Sequence, residues 1–318
     1  MRLLIKYALD EVFEKYIQYL NSNTQLSKAT INRYRSAISS LVVWLKDTRL
    51  IENFEEIKLD DLLDFLSKPN EMTGMVAKAG TRAVTISSIR NLYKWAINND
   101  LVSSDVSWFI KSPNVSEQMP EILLLEDAIK LEKTSIQRKF SSRDYLITLL
   151  LLLRGLRVSE LVSLDINKVN FKNGTIIFTG KGGNIRTLYL TNKLIVALNQ
   201  YIPERNAILV RRNRIHEQAL FISEKLGKRL TQRGVQLIID EIAQMANVKT
   251  IDTKKISPNK LRHTCASMLY NDGNGANISD IAELLGHKDK YSANKYAKLR
   301  KETNISPSIY STNPLELT

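Results

Sequence analysis

Cysteine is nearly absent: Cys265 stands alone among 318 residues, which excludes an intramolecular disulfide and a cysteine-rich zinc site. Histidine is scarce too. His216, His263 and His287 are the only three, and no two share the i, i+4 spacing of a zinc-binding helix, so no metal site is expected. Long apolar runs are missing: Leu146–Leu153 is interrupted by Thr148 and stops at Arg154, far too short to span a bilayer. The opening MRLLIKYALDE has neither the apolar stretch nor the small-residue cleavage site of a secretory signal. These absences lead us to expect an intracellular protein with no membrane partner. No G-x-x-x-x-G-K-[ST] phosphate loop, repeat period or low-complexity segment occurs either.

Acidic residues are what the second part of the chain is short of. Residues 1–110 carry 14 Lys and Arg against 13 Asp and Glu, whereas residues 111–318 carry 32 against 20, so nearly all of the net charge of +13 lies there. A basic domain suits a polyanion, and nucleic acid is the commonest one; composition alone fits a merely high-pI soluble protein equally well. With 43% hydrophobic and 25% charged residues, the chain has an ordinary globular composition and enough length for two domains.

Apolar residues recur at helical spacing over Asp10–Leu20. Ser27 is a suitable N-cap for a long helix carrying Ile31, Tyr34, Ile38, Leu41, Val42 and Leu45. Leu59–Leu66 and Thr81–Asn98 complete four helices with short connections, which implies an α-bundle. FIKSPNVSEQMPE, with its two prolines, breaks the pattern and reads as a linker. Beyond it, helices are expected at Glu126–Lys133, Arg143–Leu153, Lys193–Tyr201, Thr231–Ala246, Ile278–Leu285 and Ser292–Leu299. Gly174–Thr179 and Ile185–Leu190 form a hairpin around Gly180–Asn184, and ALFIS at 219–223 is strand-like.

Several residues could carry chemistry. Arg157 follows a turn at Gly155 and opens a helix at SEL; it is either an anion ligand at a helix N-terminus or a surface arginine paired with Glu160. Lys181 lies between glycines at the hairpin tip, as a solvated turn residue or a mobile general acid. Arg262 and His263 follow the Ser257-Pro258-Asn259 turn, and His287 precedes Tyr296 by nine residues. Paired arginines can clamp a phosphate and a tyrosine hydroxyl can attack it, so the set in this order points to phosphoryl transfer to a tyrosine.

GLRVSEL, TGKGGNIRTLYL, LFISEKLGKRLTQRGVQ, SPNKLRHT and LLGHKDKYSANKY resemble the successive boxes of a tyrosine recombinase catalytic domain, of the Xer-like and phage-integrase kind. The resemblance runs from about Leu123 to Leu299, and the helical region before it is similar to the family's SAM-like core-binding domain. It implies that Arg157 and Arg262 bind the scissile phosphate, Lys181 protonates the leaving 5′-oxygen, His287 contacts a non-bridging oxygen or helps position the nucleophile, and Tyr296 forms a 3′-phosphotyrosyl bond. The family's histidine-to-tyrosine spacing selects Tyr296 over Tyr291. Glu160 would orient Arg157 from behind. Asn259 departs from the pattern, since the family has histidine or lysine there, and an amide cannot take up the tyrosine proton. Arg229, Thr231, Gln232 and Arg233, at the start of a helix, are candidate DNA contacts, as are Lys28, Thr30, Arg33, Arg35 and Arg90 in the first domain.

The expected fold is therefore mainly α, a four-helix SAM-like domain followed by a mixed α/β catalytic domain with a small sheet. The boundaries are 1–108 for the first domain, 109–122 for a linker, 123–302 for the catalytic domain and 303–318 for a tail. The expected activity is cleavage and rejoining of double-stranded DNA without metal, cofactor or ATP. The expected assembly is a homotetramer, or a heterotetramer with a paralogue, on two DNA sites in the cytoplasm at the nucleoid. A type IB topoisomerase-like enzyme and a DNA-binding protein without catalysis are the alternatives.

Overall fold

The computed structural model describes residues 7–23, 26–70, 73–114, 121–179, 185–248, 255–271 and 315. Two compact units divide the chain, Met1–Glu117 and Gln118–Thr318. The first is built from α1 (Leu9–Ser22), α2 (Lys28–Arg49), α3 (Leu59–Ser67) and α4 (Ala79–Asn98). Ser27 caps α2, its Oγ accepting the Thr30 N–H at 3.1 Å, so the chain enters the helix where a hydroxyl can satisfy an orphan donor. The apolar stripes of α1, α2 and α4 meet around Tyr16, Ile38, Leu45 and Ile89, all fully buried. Aromatic rings fill much of this core: Tyr16 packs on Trp95 at 5.5 Å between centroids, and Phe54 on Tyr93 at 5.0 Å. The Tyr16 hydroxyl donates to Asn91 Oδ1 at 2.8 Å, which lets a phenol sit in the core without a stranded polar group.

The second unit is organised around α6 (Ser141–Arg154), which packs against α5 (Leu125–Ser135), α8 (Asn192–Arg211), α9 (Gln232–Met245) and α10 (Pro258–Asn271). Because α6 has neighbours all round, it carries leucine on every face, and each residue from Leu149 to Leu153 is fully buried. A short α7 (Val158–Ser163) follows its end. The antiparallel sheet runs in the order β1 (Val169–Asn170), β2 (Thr175–Thr179), β3 (Ile185–Tyr189), with Thr175 opposite Tyr189 and Thr179 opposite Ile185. Ile176, Phe178 and Leu188 turn one face of it into the core.

Two elements differ from expectation. The helix expected to end at Tyr201 continues through Pro203 to Arg211. Proline usually stops a helix by removing a donor; here buried Arg205, two residues on, donates to the carbonyls of Ala219 at 2.8 Å and Glu217 at 2.7 Å and ties the continuation to the next segment. That segment, 219–223, makes only isolated bridges, Asp165 to Ala219 and Ile222 to Arg229, and joins no sheet. Its backbone is satisfied partly by neighbouring segments, Leu220 N–H donating to Leu164 O at 2.8 Å and Leu230 N–H to Phe221 O at 2.9 Å, and partly by side chains, among them the Tyr201 hydroxyl, which donates to the Leu220 carbonyl at 3.1 Å and accepts the Ile222 N–H at 3.3 Å.

Charge is buried in this unit as well. Asp144 has no exposure and receives Arg143 Nε at 2.8 Å and Arg138 Nε at 2.7 Å, while Arg138 also reaches Glu241 at 2.6 Å. Leu315 is fully buried in the same core; its carbonyl accepts from Lys193 Nζ at 2.6 Å, and that ammonium pairs with Glu132 at 2.6 Å. The helices expected at Ile278–Leu285 and Ser292–Leu299 lie outside the described residues. Among the described residues, no helix is long and apolar enough to cross a membrane.

Candidate functional site

The arginine turn lies where α6 ends. Gly155 takes φ of 56°, a left-handed conformation that glycine adopts without a Cβ penalty, and reverses the chain out of the helix. Leu156 is fully buried and pins the turn, which delivers Arg157 to the N-cap position of α7. Glu160 holds that arginine twice: its carboxylate accepts the Arg157 backbone N–H at 2.9 Å and the guanidinium Nη1 at 2.8 Å. The arginine side chain is 40% exposed and the glutamate 15%. A braced, half-open guanidinium at a helix start has its direction set before any anion arrives.

Arg262 comes to the same turn from another helix. It is the fifth residue of α10, only 5% exposed, and its Nη1 donates to the Gly155 carbonyl oxygen. Two arginines remote in sequence are thus tied to one three-residue turn. Asn259, earlier on α10, is exposed, and His263 is half-buried beside Arg262. Lys181, His287 and Tyr296 lie outside the described residues.

Arg154, which sequence reasoning passed over, links this turn to the sheet. Its Nε donates to the Tyr189 carbonyl at 3.0 Å, where β3 ends. No local signal distinguishes this arginine from an ordinary basic residue in a helix's last turn.

The other candidates divide. Arg229 is anchored: Nη1 donates to the carbonyls of Val162 at 2.8 Å and Leu164 at 3.2 Å, and Nη2 pairs with Asp165. Thr231 caps α9 by accepting the Gly234 N–H at 3.0 Å, leaving Gln232 and Arg233 exposed on the first turn. In the first unit, Thr30 shares a 2.9 Å hydrogen bond with Ser27, Arg35 donates to Asn21 at 2.9 Å, and Arg90 donates to Ile110 O and Ser112 Oγ. Lys28 and Arg33 are exposed. Arg33 lines a groove of about 510 Å³ with Ser36 and Ser40 of α2, Lys68 after α3, and Thr81 and Arg82 of α4. Arg82 keeps a shielded Nε without a hydrogen-bond partner. Arg33, Ser36 and Ser40 repeat at helical spacing, a polar stripe the sequence displayed, whereas Lys68 and Arg82 join it only in three dimensions. Among the described residues no cluster of His, Cys, Asp and Glu could hold a metal ion.

The chain matches the phage integrase family over residues 122–303 and the phage integrase N-terminal SAM-like domain over residues 13–100. It belongs to the phage integrase family. Tyrosine recombinase XerD of Oceanobacillus iheyensis is 29% identical over 298 residues, covering 94% of this chain and 95% of the relative. Tyrosine recombinase XerC of Caldanaerobacter subterraneus subsp. tengcongensis is 30% identical over 319 residues, covering 93% of this chain and 86% of the relative. Among solved structures, a lambda integrase dimer bound to a COC′ core site superposes with a TM-score of 0.71 at 16% identity, covering 95% of this chain and 80% of that one, a likeness of fold. The mainly helical architecture with its small antiparallel sheet is thus that of an integrase, and the chain is a tyrosine recombinase by family.

Proposed function

We propose that this chain is a site-specific DNA recombinase that cleaves and rejoins strands through a 3′-phosphotyrosyl intermediate. One observation carries the reading: Arg157 and Arg262, from separate helices, are both tied to the turn at Gly155. Two guanidiniums so placed suit the non-bridging oxygens of one phosphodiester and stabilise the charge that grows on them in the transition state. Glu160 serves as a positioning residue, since it fixes both the backbone and the side chain of Arg157.

The remaining roles follow from the family. The Tyr296 oxygen bonds to phosphorus as the bond to the 5′-oxygen breaks; Lys181 gives its proton to that oxygen, and His287 steadies a non-bridging oxygen. The tyrosine proton must leave as well, and Asn259 cannot take it as a base, so water or His287 receives it. Reversal by a 5′-hydroxyl from another strand restores the phosphodiester with no external energy, because the tyrosyl ester retains that of the cleaved bond.

Duplex DNA is the partner, gripped by Gln232 and Arg233 at the start of α9 and by the groove around Arg33 and Arg82 in the first unit. Arg229 contributes by bracing the approach to α9. Exchange between two duplexes requires four cuts, which a tetramer supplies, and the work belongs in the cytoplasm at the nucleoid.

Incubation with nicked DNA carrying candidate sites tests this reading. Wild type should form a covalent protein–DNA adduct that Tyr296→Phe cannot form. Absence of the adduct with wild type removes the enzyme; its persistence in the variant removes the nucleophile. Recombinant products separate a recombinase from a topoisomerase, which yields relaxed circles.

A further inference from the structure

Five exposed cations gather where two segments of the second unit cross. Arg211 ends α8, Arg212 and Arg214 follow it, and Lys225 and Lys228 lie on the turn between Ile222 and Arg229. The crossing is tight. Gly227 has φ of 60°, and a Cβ built on it would come within 2.9 Å of Arg212 Cβ and 3.2 Å of Arg214 Cδ. Arg212 Nε donates to the Glu224 carbonyl at 3.1 Å. The turn itself is closed by the Gly227 N–H to Ser223 O at 2.7 Å and the Ser223 N–H to Lys228 O at 2.8 Å. The arginine stems are therefore seated on a hydrogen-bonded turn.

None of the five forms an ion pair among the described residues. The neighbouring carboxylate of Glu217 is engaged with the Ala219 N–H at 2.9 Å. The negative end of the α8 dipole accounts for Arg211 and Arg212. It does not reach the lysines of the second segment, nor Arg214 beyond the helix. Glu217 and Glu224 are the only carboxylates of residues 211–229, so the stretch carries a clear excess of positive charge, which suits a polyanion.

The same turn leads into α9. After Lys228 come anchored Arg229, buried Leu230 and the cap at Thr231, so the patch and the exposed first turn of α9 are continuous along the chain. Duplex DNA carries one charge per roughly 1.7 Å of axis, so a duplex reached from α9 extends phosphates past the neighbouring surface. We propose that Arg211, Arg212, Arg214, Lys225 and Lys228 form an auxiliary phosphate-binding surface that grips duplex DNA beyond the base pairs approached from α9. This rests on the DNA-recombinase reading. Exposed Ile215 and Leu226 flank the patch and would suit an acidic polypeptide instead, but continuity with α9 favours DNA.

The test is equilibrium binding of the full chain to fluorescent mixed-sequence duplexes, one short and one of doubled length, across a salt series. Wild type should bind the longer duplex more tightly and with a steeper salt dependence. In Arg211→Ala/Arg212→Ala/Arg214→Ala that difference should shrink by more than half, with the log–log salt slope falling by about 2–3, at roughly 0.9 per phosphate contact. Lys225→Ala/Lys228→Ala should lower it by about 2, and the triple Arg→Lys variant should keep it. Slopes equal to wild type in both alanine variants, with unchanged circular dichroism, would overturn the proposal. The covalent adduct on nicked DNA is read separately. Its loss in wild type removes the recombinase reading, while the salt slopes still decide the patch.

Discussion

The two units keep charge in different places. In the first, the buried polar residues are Ser88 and Ser107, and no Lys, Arg, Asp or Glu is buried among the described residues. Its core is aromatic and aliphatic, and its cations lie on the surface and in the groove of α2 and α4. In the second, Glu132, Arg143, Asp144, Arg205 and Arg262 are all buried. Burying a charge is costly unless it is paired and hydrogen-bonded, so each such residue must answer either for architecture or for chemistry. Arg143, Asp144 and Arg205 answer for architecture, since they bond to one another or to the 217–222 backbone. Arg262 sits in the same class by burial but at the candidate site by position.

Arg262→Ala breaks that duality most severely. Single-turnover cleavage should fall about 10²–10³-fold, the loss typical of one transition-state donor, and the second unit should melt earlier because Gly155 loses its partner. Arg262→Lys should recover more of the melting temperature than of the rate. A variant as stable as wild type would mean the buried charge carries no architectural weight.

Next in size are the cores. Leu150→Ala in α6 and Ile89→Ala in α4 each empty a fully buried site and should cost about 2–5 kcal/mol. In denaturant unfolding, each should shift the transition of its own unit; a common shift in both variants would show that the units unfold as one. Smaller again is Arg33→Ala/Arg82→Ala in the groove. DNA affinity should drop with a salt slope lower by about 2, while the cleavage rate at saturating protein stays unchanged. A slower rate at saturation would give the first unit a catalytic share.

The smallest effect concerns tyrosine. Burial pushes Tyr201 up to about 12, against the opposing pull of Arg143 and Arg205. Its folded pKa thus exceeds the unfolded value, so its contribution is fully present below about pH 10 and is lost as pH rises toward 12, where the unfolded chain ionises first. Tyr201→Phe should flatten that alkaline slope in a pH series of unfolding midpoints and cost about 1 kcal/mol at neutral pH. Tyr16 and Tyr93 in the first unit and Tyr145 in the second are also raised by burial, so an alkaline loss persisting in the variant with unchanged slope would assign it to those tyrosines.

Most helices of both units were legible because their apolar residues repeat at the period of a helix packed on one side, and Ser27 marks its own cap. Legibility failed where tertiary contacts overruled local rules. Pro203 reads as a stop until Arg205 is seen bonded to residues 217–220, and ALFIS reads as a strand although its backbone bonds are divided between isolated bridges to other segments and the side chains of Tyr201 and Arg205. At the candidate site, the sequence displayed which residues could bind a phosphate. It could not display that Arg262 is buried against the Gly155 carbonyl, nor that Arg229 spends its guanidinium on Val162, Leu164 and Asp165. Those facts depend mostly on backbone carbonyls, which carry no sequence identity, and on one carboxylate 64 residues away.

Leu315 also sets a clock. The hydrophobic cluster of the first unit is complete once Ile110 has been made, but that of the second waits for residue 315, whose carbonyl Lys193 holds. At about 5–20 residues per second of synthesis, the interval is roughly 10–40 s. For that time a first unit with its core complete is tethered to a second unit whose core still lacks its last leucine, so the two units reach their final packing at different stages of synthesis.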